Sequence, residues 1–244
     1  MIESSRDRLL RSLSSSAVVL DVGGWADPFE RADWVLDVMP YASRGLYRRE
    51  GWTERPSTPE RFTSESWIQR DICEREPYPF ADGEIDFAIC SQTLEDVRDP
   101  LWVCSEINRI AKAGYVEVPS RLEEQSWGVN GPFVGWSHHR WLIDVLEQEI
   151  EFTVKLHSIH SRRSQHFPPG FWETLTPGER VQTLWWEGGF AFRERLIFDA
   201  EDSERYLAGF VAHELARRPG SRFSPPPDWR QALRRRVGRI TGRG

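Results

Sequence analysis

Five short segments of this 244-residue chain carry the residue types that could do chemistry. Asp21-Val22-Gly23-Gly24 closes one apolar run, Asp37 a second, Asp71-Ile72 a third and Ser91-Gln92 a fourth. An acid at the end of a buried strand can reach a ribose diol, and a glycine turn lets the backbone approach a ligand closely or take a positive φ. The fifth segment, Trp136-Ser137-His138-His139-Arg140-Trp141, sets two imidazoles beside a guanidinium. An imidazole takes up a proton near neutral pH, and arginine binds carboxylate or phosphate with two parallel donors. Each histidine has an ordinary alternative use as a helix cap or a packed core side chain, and both uses stay open here. His157, His160 and His166 lack the spacing of a helical zinc site, and Cys73, Cys90 and Cys104 have no metal-type spacing. The expectation is reduced core thiols and no metal.

Elements that could position these residues follow from the hydropathy pattern. Residues 17–22, 34–38, 85–90 and 115–118 are apolar runs that read as buried parallel strands, 85–90 being the clearest, and 67–71 reads as a weaker strand. Residues 5–13 and 100–111 read as helices, the second with Asp99 as N-cap and Pro100 at its first position. Residues 41–66 read as an irregular helix and loop, 120–137 as a loop and 139–148 as a helix. Residues 152–160 and 190–198 suit two last strands paired antiparallel across a loop-rich insertion, 161–189, marked by Pro168-Pro169-Gly170 and Pro177-Gly178. Strands alternating with helices predict an open α/β sheet. Such sheets bind ligands at the carboxyl ends of their strands, where the strand order reverses.

Composition narrows the function classes. The net charge of −6 argues against a general nucleic-acid binder. No apolar run is long enough to span a bilayer, and residues 1–16 lack the apolar core of a signal peptide, so a soluble, cytoplasmic protein is expected. Charge is uneven: residues 217–244 hold nine arginines against one acid, Asp228. There Trp229, Leu233, Val237 and Ile240 recur at helical spacing behind Pro225-Pro226-Pro227. A basic amphipathic helix suits an anionic membrane surface, which would make the protein membrane-peripheral; nucleic acid, or docking on the domain with the arginines solvated, are the other uses. Many of the 12 tryptophans fall in the C-terminal half, where they fill a core or stack on a flat acceptor.

The string from Pro79 to Pro100, PFADGEIDFAICSQTLEDVRDP, resembles the middle of a class I S-adenosylmethionine-dependent methyltransferase of the methyltransferase-11-like branch. The resemblance covers residues 17–119. It implies a Rossmann-like seven-stranded mixed sheet, six strands parallel and one antiparallel, flanked by helices. The first helix must be truncated, because about ten residues separate the first two strands. It implies S-adenosyl-L-methionine as cofactor, its methionine part at Asp21, Gly23 and Gly24, its ribose at Asp37, its adenine at Asp71 and Ile72, and its sulfonium beside Ser91 and Gln92. His139 and His138 are then the candidate catalytic bases, with Arg140 and Trp136 holding the acceptor. That acceptor is expected to be a small molecule or glycan offering a hydroxyl. Three residues depart from the family pattern. Trp25 and Asp27 stand at the second and third glycine positions of the turn, and the common Leu-Glu-His reads Leu94-Glu95-Asp96. The expected organisation is a domain over 1–216, with a cofactor half (17–119) and a substrate half (120–200), then the basic tail, 217–244. Two alternatives accompany this reading: a non-catalytic domain of the same fold with a degenerate turn, and a methyltransferase that docks polyanionic or membrane-linked substrates through its tail.

Overall fold

The computed structural model describes residues 1–51, 58–218 and 222. Five parallel strands form most of the main sheet: β1 (Val19–Val22), β2 (Trp34–Asp37), β3 (Trp67–Gln69), β4 (Phe87–Ser91) and β5 (Ala113–Pro119). A sixth, β8 (Val181–Glu187), runs antiparallel to β5, giving the order β3-β2-β1-β4-β5-β8. Side chains alternate across it, so both faces are buried. Leu20, Val22, Leu36, Ala88, Cys90 and Val116 pack on one face against Val103, Ile107 and Ile110 of α3 (Pro100–Ile110), whose first turn is capped by Asp99 accepting from Trp102 N–H at 3.1 Å. Val19, Val35, Ile89 and Tyr115 fill the other face with Phe29, Phe62 and Trp67.

The connection between β1 and β2, residues 23–33, contains turns but no helix. The helix α1 (Glu3–Ser12), which precedes β1, covers the sheet on that face: Leu9 is fully buried there, with Leu10 and Leu13 beside it. Arg6 of α1 clamps the helix-free connection through Glu30 and through Asp27 at 3.3 Å. The short α2 (Leu46–Arg49) follows, and its Arg48 reaches Asp27 at 3.1 Å from the other side. Asp27 is thus an ion-pair centre with a side chain only 5 % exposed, which explains an acid at a glycine position.

Three expectations about the C-terminal half are corrected. Residues 139–148 are not helical: β6 (Trp141–Leu146) and β7 (Glu149–Val154) form a hairpin whose turn holds Glu147 at φ +51°. Trp141, Ile143 and Val145 pack on the main core and Leu142 packs on the other side with Val134, Ile159 and Leu207, and the β-branched and aromatic residues suit a strand. Residues of the two expected last strands do pair, as β7 and β9 (Ala191–Glu194), but in parallel and in a separate three-stranded sheet, β6-β7-β9. The antiparallel strand of the main sheet is β8, inside the stretch read as insertion. Pro177-Gly178 there opens the single-turn α5 (Pro177–Arg180), held by a Thr176–Glu179 capping box, and leads directly into β8. The main sheet therefore has six strands, not seven. The last helix, α6 (Ala200–Ala216), buries Leu207 and Val211 against the segment after β5. Apart from Arg217, Arg218 and Arg222, the amphipathic tail lies outside the described residues. Among those described, no helix is long and apolar enough to cross a membrane.

Candidate functional site

A cavity of about 970 Å³ opens over the carboxyl ends of β1, β2, β4 and β5, at the place where the strand order reverses between β1 and β4. Gly23, Asp37, Asp71, Ile72 and Gln92 line it, and so do Trp136, His138, His139 and Arg140. The two groups of residues singled out in the sequence thus share one cavity. Asp21, Gly24 and Ser91 stand behind its wall.

Gly23 sits at φ +77°, and a Cβ there would lie 2.3 Å from Cγ2 of Thr93. Only glycine fits this close crossing of the β1 and β4 loops. Asp21 is 3 % exposed and accepts from the Phe29 N–H at 2.8 Å, so it folds the turn back on itself directly beneath Gly24. Burial pushes its carboxyl up to about 7, against the pull of that N–H and with help from the charges of Asp27 and Asp37. Asp37 accepts from Trp25 N–H through Oδ2 (3.0 Å) and from Met39 N–H through Oδ1 (2.8 Å). Burial raises its pKa, and these N–H groups oppose the rise. The residue lines the cavity.

Trp25, the residue that departs most from a glycine turn, does not fill the space. Its indole N–H donates to the carbonyl (2.9 Å) and the hydroxyl (3.0 Å) of Ser43, and its ring packs against the Phe29–Phe62–Trp67 cluster. The cavity retains its volume beside it. At the far wall, Asp71 pairs with Arg98 and accepts from the Cys73 N–H at 2.8 Å. Ser91 and Gln92 both donate to Glu117 (3.3 and 3.2 Å), a carboxylate 1 % exposed that also takes the Ile2 N–H at 3.0 Å.

The other side of the cavity is built around buried carboxylates on α4 (Arg121–Glu124), capped by Ser120 just after β5. Glu124 accepts from His139 Nδ1 and from Lys155 Nζ, both at 2.7 Å. Burial opposes a charge on either partner, but their mutual hydrogen bond and attraction win: Glu124 is lowered and His139 raised. His138, on the open side, is lowered by burial, with Asp96 opposing. Glu123 holds two indoles at once, Trp136 Nε1 at 2.7 Å and Trp172 Nε1 at 3.3 Å. Arg140 lines the cavity, and its backbone N–H donates to the Glu95 carbonyl at 2.7 Å. Glu95 is 1 % exposed and burial pushes its carboxyl up to about 8.

Sequence reasoning missed Glu95, Asp96, Thr93, Glu117, Glu123 and Trp172. Glu95 and Asp96 stood in view as the departure from Leu-Glu-His; the others follow strand ends or lie in the insertion, and no local signal marks them. Among the described residues, Asp96, His138 and His139 are the one group of three potential metal ligands whose donor atoms converge, within 4.8 Å. His157, His160 and His166 do not converge.

Residues 53–116 match the family described as a methyltransferase domain. The mostly parallel mixed sheet flanked by helices is like the Rossmann-like fold of methyltransferases, whose cofactor is S-adenosylmethionine. Among solved structures, the chain is similar to the YcgJ protein of Bacillus subtilis (16% identity, TM-score 0.36, covering 49% of this chain and 52% of that one). It is also similar to a SAM-dependent methyltransferase of Aquifex aeolicus (19%, TM-score 0.33, 52% and 69%) and to an arsenic(III) methyltransferase of Chlamydomonas reinhardtii (19%, TM-score 0.30, 42% and 38%). The chain spans about half the length of the Bacillus subtilis structure. No curated protein matches the chain.

Proposed function

We propose that the protein is an S-adenosylmethionine-dependent methyltransferase acting on a hydroxyl of a small-molecule or glycan acceptor. One observation carries this reading: a single cavity of about 970 Å³ runs from the glycine turn and Asp37 to the His138–His139 segment. Asp37 would hold the ribose diol, Ile72 would cover the adenine, and Gly23 and Thr93 would pass beside the methionine part. Bound cofactor supplies an electrophilic methyl on a sulfonium sulfur, which keeps the bonding electron pair on leaving. The chain's own part is to align the acceptor oxygen, exclude water and receive its proton. His138 and His139 are placed to receive that proton, Arg140 to bind an anionic group on the acceptor, and Trp136 and Trp172 to wall it.

The alternative, a non-catalytic domain of this fold, has one observation in its favour: Trp25 replaces a glycine of the turn, and its N–H already engages Asp37. Thermal unfolding with and without S-adenosylmethionine or S-adenosylhomocysteine separates the two. A ligand at about a hundred times its dissociation constant stabilises by about 2.7 kcal/mol, and at about 2–4 °C per kcal/mol that raises Tm by about 5–11 °C. A well-folded protein that shows no shift with either compound is the non-catalytic domain. For the arginine-rich tail the sequence leaves docking on the domain or on a partner beside a second use, an anionic membrane surface; vesicle co-sedimentation of the full chain against one lacking residues 225–244 tests the second, and equal binding removes it.

A further inference from the structure

We propose that Asp96, His138 and His139 form a binding site for a divalent transition-metal ion, open to the cavity. His138 Nε2 lies 3.9 Å from Asp96 Oδ2, and His139 Nε2 lies 3.9 Å from Asp96 Oδ1. Ions of this class bind nitrogen and oxygen at about 2.0–2.2 Å, which sets neighbouring ligand atoms about 3.0–3.5 Å apart. The donors lie within 4.8 Å of one another and therefore need to close by about 0.5–1.8 Å. The two that must move can do so, since the side chains of His138 and Asp96 are 59 % and 41 % exposed.

The third donor is fixed, and in the right sense. Glu124 is a carboxylate 1 % exposed, held by Lys155, and it can only accept from His139. Nδ1 of His139 must then carry the proton, which leaves the Nε2 lone pair facing Asp96 and the cavity. A histidine aimed by a buried carboxylate on its second nitrogen is the usual support of a metal-binding imidazole. Lys155 also donates to the Trp136 carbonyl at 2.8 Å, so the same lysine anchors the loop that carries both histidines.

One oxygen of the cluster marks a place where a partner is wanted: Asp96 Oδ1 is buried without a hydrogen-bond partner among the described residues. A buried carboxylate oxygen left without a donor is costly, and a cation offsets that cost. Two imidazoles and one carboxylate suit zinc, manganese or cobalt better than magnesium or calcium, which prefer all-oxygen sets, and three protein ligands leave positions open for an acceptor oxygen. An ion here would hold the acceptor hydroxyl and acidify it, in place of the proton-receiving role given to the two histidines above. That role, though not the binding itself, rests on the methyl-transfer reading above.

The test uses full-length protein without a histidine tag, stripped with a chelator and then titrated with Zn²⁺, Mn²⁺ and Co²⁺ by calorimetry, with visible absorption recorded for Co²⁺. The expected result is a single saturable ion per chain, with cobalt absorption bands that zinc abolishes. Asp96→Asn and His138→Ala should each lose that binding, Glu124→Gln should weaken it by about 10–100-fold, and His157→Ala, outside the cluster, should leave it unchanged. Far-ultraviolet circular dichroism checks that each variant is folded. No stoichiometric binding by the wild type, or binding that survives in Asp96→Asn and His138→Ala, overturns the proposal. Titration of the stripped protein with S-adenosylhomocysteine keeps the two readings apart. Cofactor binding without metal binding removes only this inference, and metal binding without cofactor binding removes only the methyltransferase.

Discussion

Asp21 gives the sharpest forecast, because its environment is fixed by the fold and its effect needs no assay of activity. The side chain is 3 % exposed, its pKa is pushed up to about 7, and its Oδ2 accepts from the Phe29 N–H. In the unfolded chain the same carboxyl titrates near 3.9. Between about pH 4 and pH 7 the unfolded state therefore releases a proton that the folded state retains, and stability falls as pH rises through this window. The difference of about three units, at about 1.36 kcal/mol each, gives a loss of about 4 kcal/mol, complete above pH 7. Asp21→Asn removes the titration and retains an oxygen to accept from Phe29. Its unfolding free energy, measured by urea denaturation across about pH 4 to pH 8, should match the wild type near pH 4. It should exceed the wild type by up to about 4 kcal/mol near pH 8, or about 8–16 °C in Tm. Other carboxyls titrate in both proteins and cancel in the difference. A difference between the two that does not vary with pH would refute the reasoning, because it would mean that the native carboxyl ionises as freely as the unfolded one.

Three more outcomes follow from the geometry. Gly23→Ala forces a Cβ to 2.3 Å from Thr93 at φ +77° and should cost about 2–4 kcal/mol by thermal unfolding, whereas Gly178→Ala, with nothing within 4 Å of its Cβ, should change stability by less than about 0.5 kcal/mol. Asp37→Ala removes a charged acceptor and should weaken S-adenosylhomocysteine binding by about 10–100-fold in calorimetry; unchanged affinity would withdraw the ribose role. Glu123→Gln leaves one of the two indole N–H groups facing an amide N–H, so the Trp136–Trp172 wall should loosen. Once an acceptor is known, KM for it should rise while cofactor affinity stays constant, and a loss of cofactor affinity would place the wall elsewhere.

The sequence by itself determined the parallel half of the sheet. Buried central strands must be apolar on both faces, so residues 17–22, 34–38 and 85–90 read as continuous apolar runs, and they form β1, β2 and β4. A helix with its N-cap and proline was equally local, and α3 begins at Pro100 as its signals require. The C-terminal half was not legible in this way. The run Trp141 to Leu146 is apolar at five of six positions and so shows no clean period, and only packing against the main core selects the hairpin. β8 followed Pro177-Gly178, a pair that reads as loop but serves as a capped helical turn leading into the strand. The missing crossover helix showed in the short β1–β2 spacing, but its replacement by α1, clamped through Arg6, required contacts between segments distant in the chain.

The same division holds for the site. Gly23, Asp37, Ile72 and Gln92 were nameable because each follows a strand, and strand ends converge in any open parallel sheet. The Asp96–His138–His139 cluster was not, because its parts lie about forty residues apart, with α3, β5, α4 and then an irregular loop between them whose path no local rule dictates. Glu124 could not be known as the orienting partner of His139 until α4 and that loop were seen side by side. Residue type and periodicity are local properties of the chain, but a hydrogen bond between a buried glutamate and a distant imidazole exists only once the intervening segments have packed.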